Sequence, residues 1–344
     1  MNIKAAILVE QKRKLIIDNI KLKDKLKIGQ ILVKIQTSGI CGSQIGEIDG
    51  VKGQDKYLPH LLGHEGCGIV IDIGPEVKKV KSGDRVILHW MKSKGLNSDP
   101  PQYYWNGERL NAGWVTTFNN YAVISENRCT KISSQLSNEE AALFGCAVTT
   151  GFGVIENNAR LKMGESVVIF GSGGIGLNMI QAAKMKSAYP IIAVDLHQNR
   201  LDLAKSLGAT HLVNSKFSDA SDSIKEIIGN NLDIFIDNTG LSSVIEEGYK
   251  LINEQGRLIL VGVPKVGDQT KIFTLPIHFG KQIIGSFGGE CDPDKDIKRY
   301  SNLLIKGFLN LEKLITEKYK LEDINIAIKR MRNGSSIGRT IINL

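Results

Sequence analysis

No apolar run in the sequence approaches the roughly 20 residues that a membrane-crossing helix needs. The opening stretch, Met1 to Val9, is short and strand-like. It carries neither a long apolar segment nor a small-residue cleavage site, so no signal peptide is read there and a cytoplasmic location is expected. A disulfide framework is also missing. The five cysteines, Cys41, Cys67, Cys129, Cys146 and Cys291, are an odd number, and in a reducing compartment such thiols serve the core, catalysis or metals. There is no internal repeat and no low-complexity segment. Charge selects no macromolecular partner. The formal net charge is +8, but the lysines are scattered and cluster only from Lys21 to Lys27 and from Lys78 to Lys81. Solvated faces account for most of that excess, and the remainder suits a phosphorylated or nucleotide-linked substrate better than nucleic acid.

What is present is most legible at Val167-Val168-Ile169-Phe170-Gly171-Ser172-Gly173-Gly174-Ile175-Gly176. An apolar strand enters Gly-x-Gly-x-x-Gly, and a helix-like run from Leu177 to Met185 follows. In a dinucleotide-binding loop Gly171 permits the tight turn, Gly173 lets backbone approach a pyrophosphate, and Gly176 lets the helix pack on the strand. The phosphates then meet the N–H groups and positive end of the helix, around Gly174 and Ile175. A second apolar run, Ile191 to Val194, ends in Asp195, near the spacing expected of the acid that binds a ribose 2′-OH. Such an acid repels a 2′-phosphate, which favours NAD over NADP.

With 344 residues, 42% of them hydrophobic and 23% charged, the chain reads as a globular protein of two domains. Up to about Tyr121 it carries short strands broken by Gly and Pro, including Ile31 to Ile35, Gly68 to Ile73 and Arg85 to His89. That texture predicts an antiparallel, barrel-like unit. From about Glu139 helices alternate with apolar strands: Ser166 to Phe170, Ile191 to Asp195, His211 to Asn214, Asp233 to Asp237, Arg257 to Val263 and Gln282 to Phe287. Six such strands predict a doubly wound parallel sheet. Two further helical stretches, Asp294 to Gly307 and Leu321 to Asn333, and a strand, Arg339 to Asn343, are expected to return to the first domain.

A second constellation lies outside the loop. Gly63-His64-Glu65 has Gly39-Ile40-Cys41-Gly42-Ser43 upstream and Gly145-Cys146 downstream. Two thiolates and an imidazole make a three-ligand zinc set with a fourth position left for water or substrate. Such an open site suits Lewis-acid activation of an alcohol or carbonyl.

These motifs, with Gly83-Asp84-Arg85-Val86, Val261-Gly262-Val263-Pro264, Gly285 to Gly289 and Ile337-Gly338-Arg339-Thr340, resemble the zinc-dependent alcohol dehydrogenases of the medium-chain dehydrogenase/reductase superfamily over nearly the full length. The resemblance implies a GroES-like catalytic domain from residues 1–147 and 287–344, a Rossmann NAD-binding domain at 148–286, an active site in the cleft and a homodimer or homotetramer. It makes Cys41, His64 and Cys146 the catalytic zinc ligands. Glu65 becomes the acid near zinc, either an exchanging ligand or a neighbouring charge. Ser43 becomes the hydroxyl that passes the alcohol proton. Around the cofactor it places Arg200 at the adenosine ribose, Val263 and Phe287 beside the dinucleotide, and Arg339 at the pyrophosphate, where a guanidinium suits phosphate oxygens.

Departures from the family pattern are equally specific. The family often has a His five residues after the first ligand Cys, which delivers the proton to solvent. That position is Gly46, so the proton leaves through water or through Glu47. Gln44 stands where an Asp usually supports the zinc-bound His, and its carbonyl is expected to take that role with less effect on ligand basicity. Many relatives hold a second, structural zinc on four Cys, whereas His89 to Thr117 contains none, which predicts one zinc per chain. That segment instead holds His89-Trp90, Tyr103-Tyr104-Trp105 and Trp114, read as a lobe core, an oligomer contact or a substrate wall. His89, at a strand end, is expected to line the cleft. The expected activity is NAD-dependent oxidation of a hydroxyl, with a polyol, sugar or sugar derivative favoured. A zinc-free quinone or enoyl reductase and a catalytically silent NAD-binding protein are the rival classes.

Overall fold

A computed structural model describes residues 1–23 and 25–344. The chain divides into two compact units, Met1–Ala147 with Asp292–Leu344, and Val148–Cys291.

The first unit is β-rich. One sheet runs Gln30–Ile40 between Glu65–Ile73 and Arg339–Asn343, with Arg85–His89, Cys129–Lys131, Tyr121–Ser125 and Ile315–Lys320 completing it. Its pairs are antiparallel except Ile315–Lys320 with Arg339–Asn343. A second sheet carries Asn2–Leu8, Ile16–Lys21, His60–Leu61, Tyr103–Trp105 and Glu108–Leu110. The last strand thus sews the C-terminal segment beside Gln30–Ile40, with Thr340 opposite Ile40. Helix Pro293–Ile305 and helix Ile324–Arg332 lie close to the two helical stretches expected, though Leu321–Asp323 forms a separate 3₁₀ turn. Ile31, Val33, Val86, Leu88 and Ile124 fill the interior between these strands.

The second unit is a parallel six-stranded sheet ordered His211–Asn214, Ile191–Asp195, Val167–Phe170, Leu232–Asp237, Ile252–Leu260 and Gln282–Gly285. Helices cover it, so Val168, Ile192, Val194, Phe235 and Leu258 are buried on one face and Ile169, Ala193, Ile236 and Ile259 on the other. This is why the strands read as continuous apolar runs. The strand order reverses beside Val167–Phe170, and in such sheets ligands bind past the carboxyl ends at that point. The fifth strand starts earlier than expected, at Ile252, and ends at Leu260. The amides of Val261 and Gly262 both turn to the Asp237 carbonyl, at 2.8 and 3.0 Å, and leave the ladder. The Gly288–Glu290 turn stays with this unit because Asn157 Nδ2 donates to the Gly289 carbonyl at 2.8 Å. Among the described residues no helix is long and apolar enough to cross a membrane.

Candidate zinc centre and dinucleotide loop

Three turns of the first unit bring the proposed ligands together. Cys41 follows strand Gln30–Ile40 and caps helix Gly42–Ile48. His64 lies between His60–Leu61 and Glu65–Ile73, and Cys146 lies just past helix Asn138–Leu143. The Cys41 Sγ, a His64 ring nitrogen and the Cys146 Sγ all lie within 4.8 Å of one another. Tetrahedral zinc with thiolate and imidazole ligands needs ligand atoms about 3.6 Å apart, a spacing inside that limit. His64 Nε2 is buried with no hydrogen-bond partner, as a nitrogen kept for a metal would be. The Cys41 thiol is held well below its usual range by its hydrogen bond with Cys146, aided by His64 and Arg339 against desolvation. Burial instead pushes Cys67 up to about 11 and Cys129 up to about 12, so these are core thiols. The donor set and its electrostatics therefore fit a zinc ion.

Glu65 stands apart from this convergence. It is completely buried, its Oε2 accepts the Ala147 amide at 3.1 Å, and its carboxylate is ion-paired with Arg339. Arg339, expected at a pyrophosphate, is 3% exposed and turned to Glu65 and Cys41. Ser43 Oγ is buried without a partner, free to meet a hydroxyl. The Gln44 carbonyl, expected to support His64, is taken by the Cys41 amide at 2.9 Å. The Gln44 NH₂ faces His64 Nδ1 instead. A metal on Nε2 puts the ring proton on Nδ1, and the amide must then turn its oxygen there. Trp90 joins the site from the aromatic segment, its ring 6.5 Å from that of His64.

In the second unit the glycines of the loop meet three different demands. Gly171 has φ +101°, which side chains resist. A Cβ on Gly176 would lie 2.1 Å from the Gly171 carbonyl oxygen. A Cβ on Gly173 would meet no protein atom within 4 Å, so this glycine keeps open a space that protein does not fill. Helix Gly174–Met185 starts there with no side-chain cap, leaving the amides around Gly174 and Ile175 available to an anion. The cradle fits a dinucleotide pyrophosphate. Asp195 ends its strand with Oδ2 accepting the Ser172 amide and Oδ1 accepting the His197 amide, both at 2.9 Å. Arg200 Nη1 is 3.8 Å from Asp195 Oδ2. Val263 and Phe287 are 53% and 67% exposed.

Comparison with known proteins agrees with both halves. Residues 27–134 match the alcohol dehydrogenase GroES-like domain, and residues 174–306 match the zinc-binding dehydrogenase domain. The S-(hydroxymethyl)glutathione dehydrogenase of Escherichia coli O157:H7 is 30% identical over 349 residues, covering 92% of this chain and 93% of its own. The chain is a zinc-binding alcohol dehydrogenase of the medium-chain superfamily. Among solved structures, benzyl alcohol dehydrogenase from Acinetobacter calcoaceticus superposes with a TM-score of 0.90 at 28% identity, covering 100% of this chain and 99% of its own. The 2R,3R-butanediol dehydrogenase of Bacillus subtilis gives 0.80 at 26%, covering 99% of each.

In this dehydrogenase the segment after Arg85–His89 is fastened by carboxylates. Glu126 accepts the amides of Lys78, Lys79 and Leu96 at 2.6–2.8 Å. Asp294 accepts the Lys94 amide and the Thr130 hydroxyl and pairs with Lys79 Nζ at 2.7 Å. His89 belongs to this framework and does not line a site. It is 1% exposed, with Nδ1 on the Met91 carbonyl and Nε2 on the Thr130 hydroxyl, and burial pushes its pKa down to about 4. Tyr103 is fully buried, and Trp105 Nε1 donates to Asp18. Both are lobe core, so of the segment's aromatics described here Trp90 is the one placed beside His64.

Proposed function

We propose that the protein is an NAD-dependent zinc alcohol dehydrogenase that oxidises the hydroxyl of a polyol, sugar or sugar derivative to a carbonyl. The observation that carries the reading is the convergence of Cys41, His64 and Cys146, with Ser43 Oγ left without a partner. Held by these ligands, zinc supplies Lewis acidity toward a hydroxyl oxygen, and the nicotinamide supplies the hydride acceptor. The protein's own work is to place the hydroxyl against Ser43, whose Oγ accepts its proton while donating its own. Glu65 stays outside the ligand set and holds Arg339 beside it. Arg339 meets a pyrophosphate only by turning from Glu65. Trp90 offers an aromatic face to sugar C–H surfaces. One zinc per chain, a homodimer or homotetramer and a cytoplasmic setting, where five buried thiols persist, complete the proposal.

The test is NADH formation by zinc-loaded protein on a panel of polyols, sugars, sugar phosphates, benzyl alcohol, butanediol and S-(hydroxymethyl)glutathione. The highest kcat/KM is expected on a polyol or sugar. A preference for benzyl alcohol would assign the Trp90 wall to an aryl group. Activity unaffected by zinc removal would restore the reductase reading.

Cofactor choice is tested at Asp195. Asp195→Gly removes the ribose acceptor, the repulsion of a 2′-phosphate and the hold on the Ser172 amide. Losing a charge-assisted hydrogen bond costs about 1.5–3 kcal/mol, so NAD affinity is expected to fall roughly ten- to hundredfold while relative use of NADP rises. Fluorescence titration with both dinucleotides reads this. A wild type that already prefers NADP would remove Asp195 from the role.

A further inference from the structure

We propose that Glu47 receives the hydroxyl proton from Ser43 and releases it to solvent, with the hydrogen-bonded Asp55–His60 pair fixed behind it. This deepens the dehydrogenase reading and rests on it. Ser43 and Glu47 lie one turn apart on helix Gly42–Ile48, a spacing that puts Cβ atoms about 5–6 Å from each other on one face. Gln44 and Ile48 are the buried residues of that helix, so Ser43 and Glu47 share the neighbouring face. Ser43 Oγ is buried without a partner, whereas Glu47 as a residue reaches solvent. The pair therefore spans from the candidate site to the surface.

What stands behind Glu47 decides which group changes charge. A Glu47 carboxylate oxygen, an Asp55 carboxylate oxygen and a His60 ring nitrogen lie within 4.8 Å of one another. His60 Nε2 is 2.8 Å from Asp55 Oδ2, and His60 Nδ1 is 2.9 Å from the Leu61 carbonyl. Both ring nitrogens are thus engaged, Nε2 with the Asp55 carboxylate and Nδ1 with backbone. Asp55 is itself fixed, with Oδ1 accepting the Tyr57 amide at 2.8 Å and its own amide donating to Gln11. Glu47 is the member left to gain and lose a proton. Desolvation lifts its carboxyl above the usual glutamate range, and the titratable groups facing it are His60, His64, Asp55 and Lys52. A raised pKa brings an acceptor nearer the working pH.

The transfer balances without any further reactant. Ser43 Oγ takes the substrate hydroxyl proton as its own proton passes to a Glu47 oxygen, directly or across one water. Glu47 then loses that proton to bulk water, and both groups return to their starting state. The place of the family's histidine is Gly46, where a Cβ would touch only the Val51 side chain at 3.6 and 3.7 Å. A side chain is therefore accommodated there.

The experiment follows zinc-loaded wild type and Glu47→Gln from pH 6 to 10, with NAD and the best alcohol of the panel. Near neutral pH kcat is expected to fall about a hundredfold, with KM and NAD affinity unchanged. The gap should narrow at high pH. Added imidazole, or Gly46→His in the Glu47→Gln background, should restore part of the rate. A readout independent of turnover is infrared titration of the zinc-free protein. One carboxyl band should titrate above the usual glutamate range, vanish in Glu47→Gln and move in Asp55→Asn. Equal kcat in both proteins at every pH, or a loss that neither imidazole nor Gly46→His restores, overturns the relay. A wild type that oxidises no alcohol overturns the dehydrogenase reading itself, whereas an active wild type with an indifferent Glu47→Gln removes only the relay.

Discussion

Cys41→Ala and His64→Ala are each expected to leave a folded protein that holds no zinc and loses alcohol oxidation. The wild type should carry about one zinc per chain. Each substitution removes one of three ligand atoms that lie within 4.8 Å of one another, and two ligands do not retain zinc in an open site. Lewis-acid stabilisation of the developing charge is worth several kcal/mol. At about 4 kcal/mol the rate falls by about a thousandfold. The fold should survive, because a Cys or His is traded for a smaller side chain at the end of a strand and in a short connection. NAD affinity should also survive, since the Gly171 to Gly176 loop belongs to the other compact unit. Elemental analysis, turnover and fluorescence titration read the three quantities separately. A zinc-free variant with wild-type turnover would remove metal from the mechanism.

Legibility in the sequence followed locality. The dinucleotide loop was readable because turn, approach and packing are imposed on glycines within six residues, and each constraint leaves its mark at one position. The zinc set was readable for another reason. Cys and His are scarce chemistries, and three of them beside glycines narrow the choices even when their partners are distant in the chain. Pairings between common charged residues left no such mark. Nothing near Glu126 announces that its carboxylate holds the amides of Lys78, Lys79 and Leu96, because the acceptor is ordinary and the donors are backbone. His89 was misread on the same ground. A strand end tells where a residue sits, but its direction was decided by Thr130 and the Met91 carbonyl. The place of His60 beside Asp55 and Glu47 depends on the 49–59 connection, whose course no local pattern dictates.

Arg339→Leu should destabilise the protein more than any surface substitution. Strand Arg339–Asn343 places the guanidinium, 3% exposed, against a Glu65 carboxylate that is fully buried. Gly39 makes room for that carboxylate, since a Cβ there would lie 2.3 Å from Glu65 Oε1. With Arg339 gone, Glu65 keeps one amide donor, from Ala147, and no cation. Removing one member of a buried pair costs about 3–5 kcal/mol, because the other charge is left uncompensated, whereas replacing both members is often close to neutral. Glu65→Gln combined with Arg339→Leu is therefore expected to recover most of the loss, and this distinguishes an unpaired charge from damage to strand packing. Urea unfolding reads the comparison through the midpoint at unchanged slope. The same substitution takes a positive neighbour from Cys41, so its thiol should titrate higher in the zinc-free protein. If Arg339→Leu unfolds at the wild-type midpoint, Glu65 is not held as a buried carboxylate. If the double variant stays as unstable as the single one, the cost lies in packing and the charge argument fails.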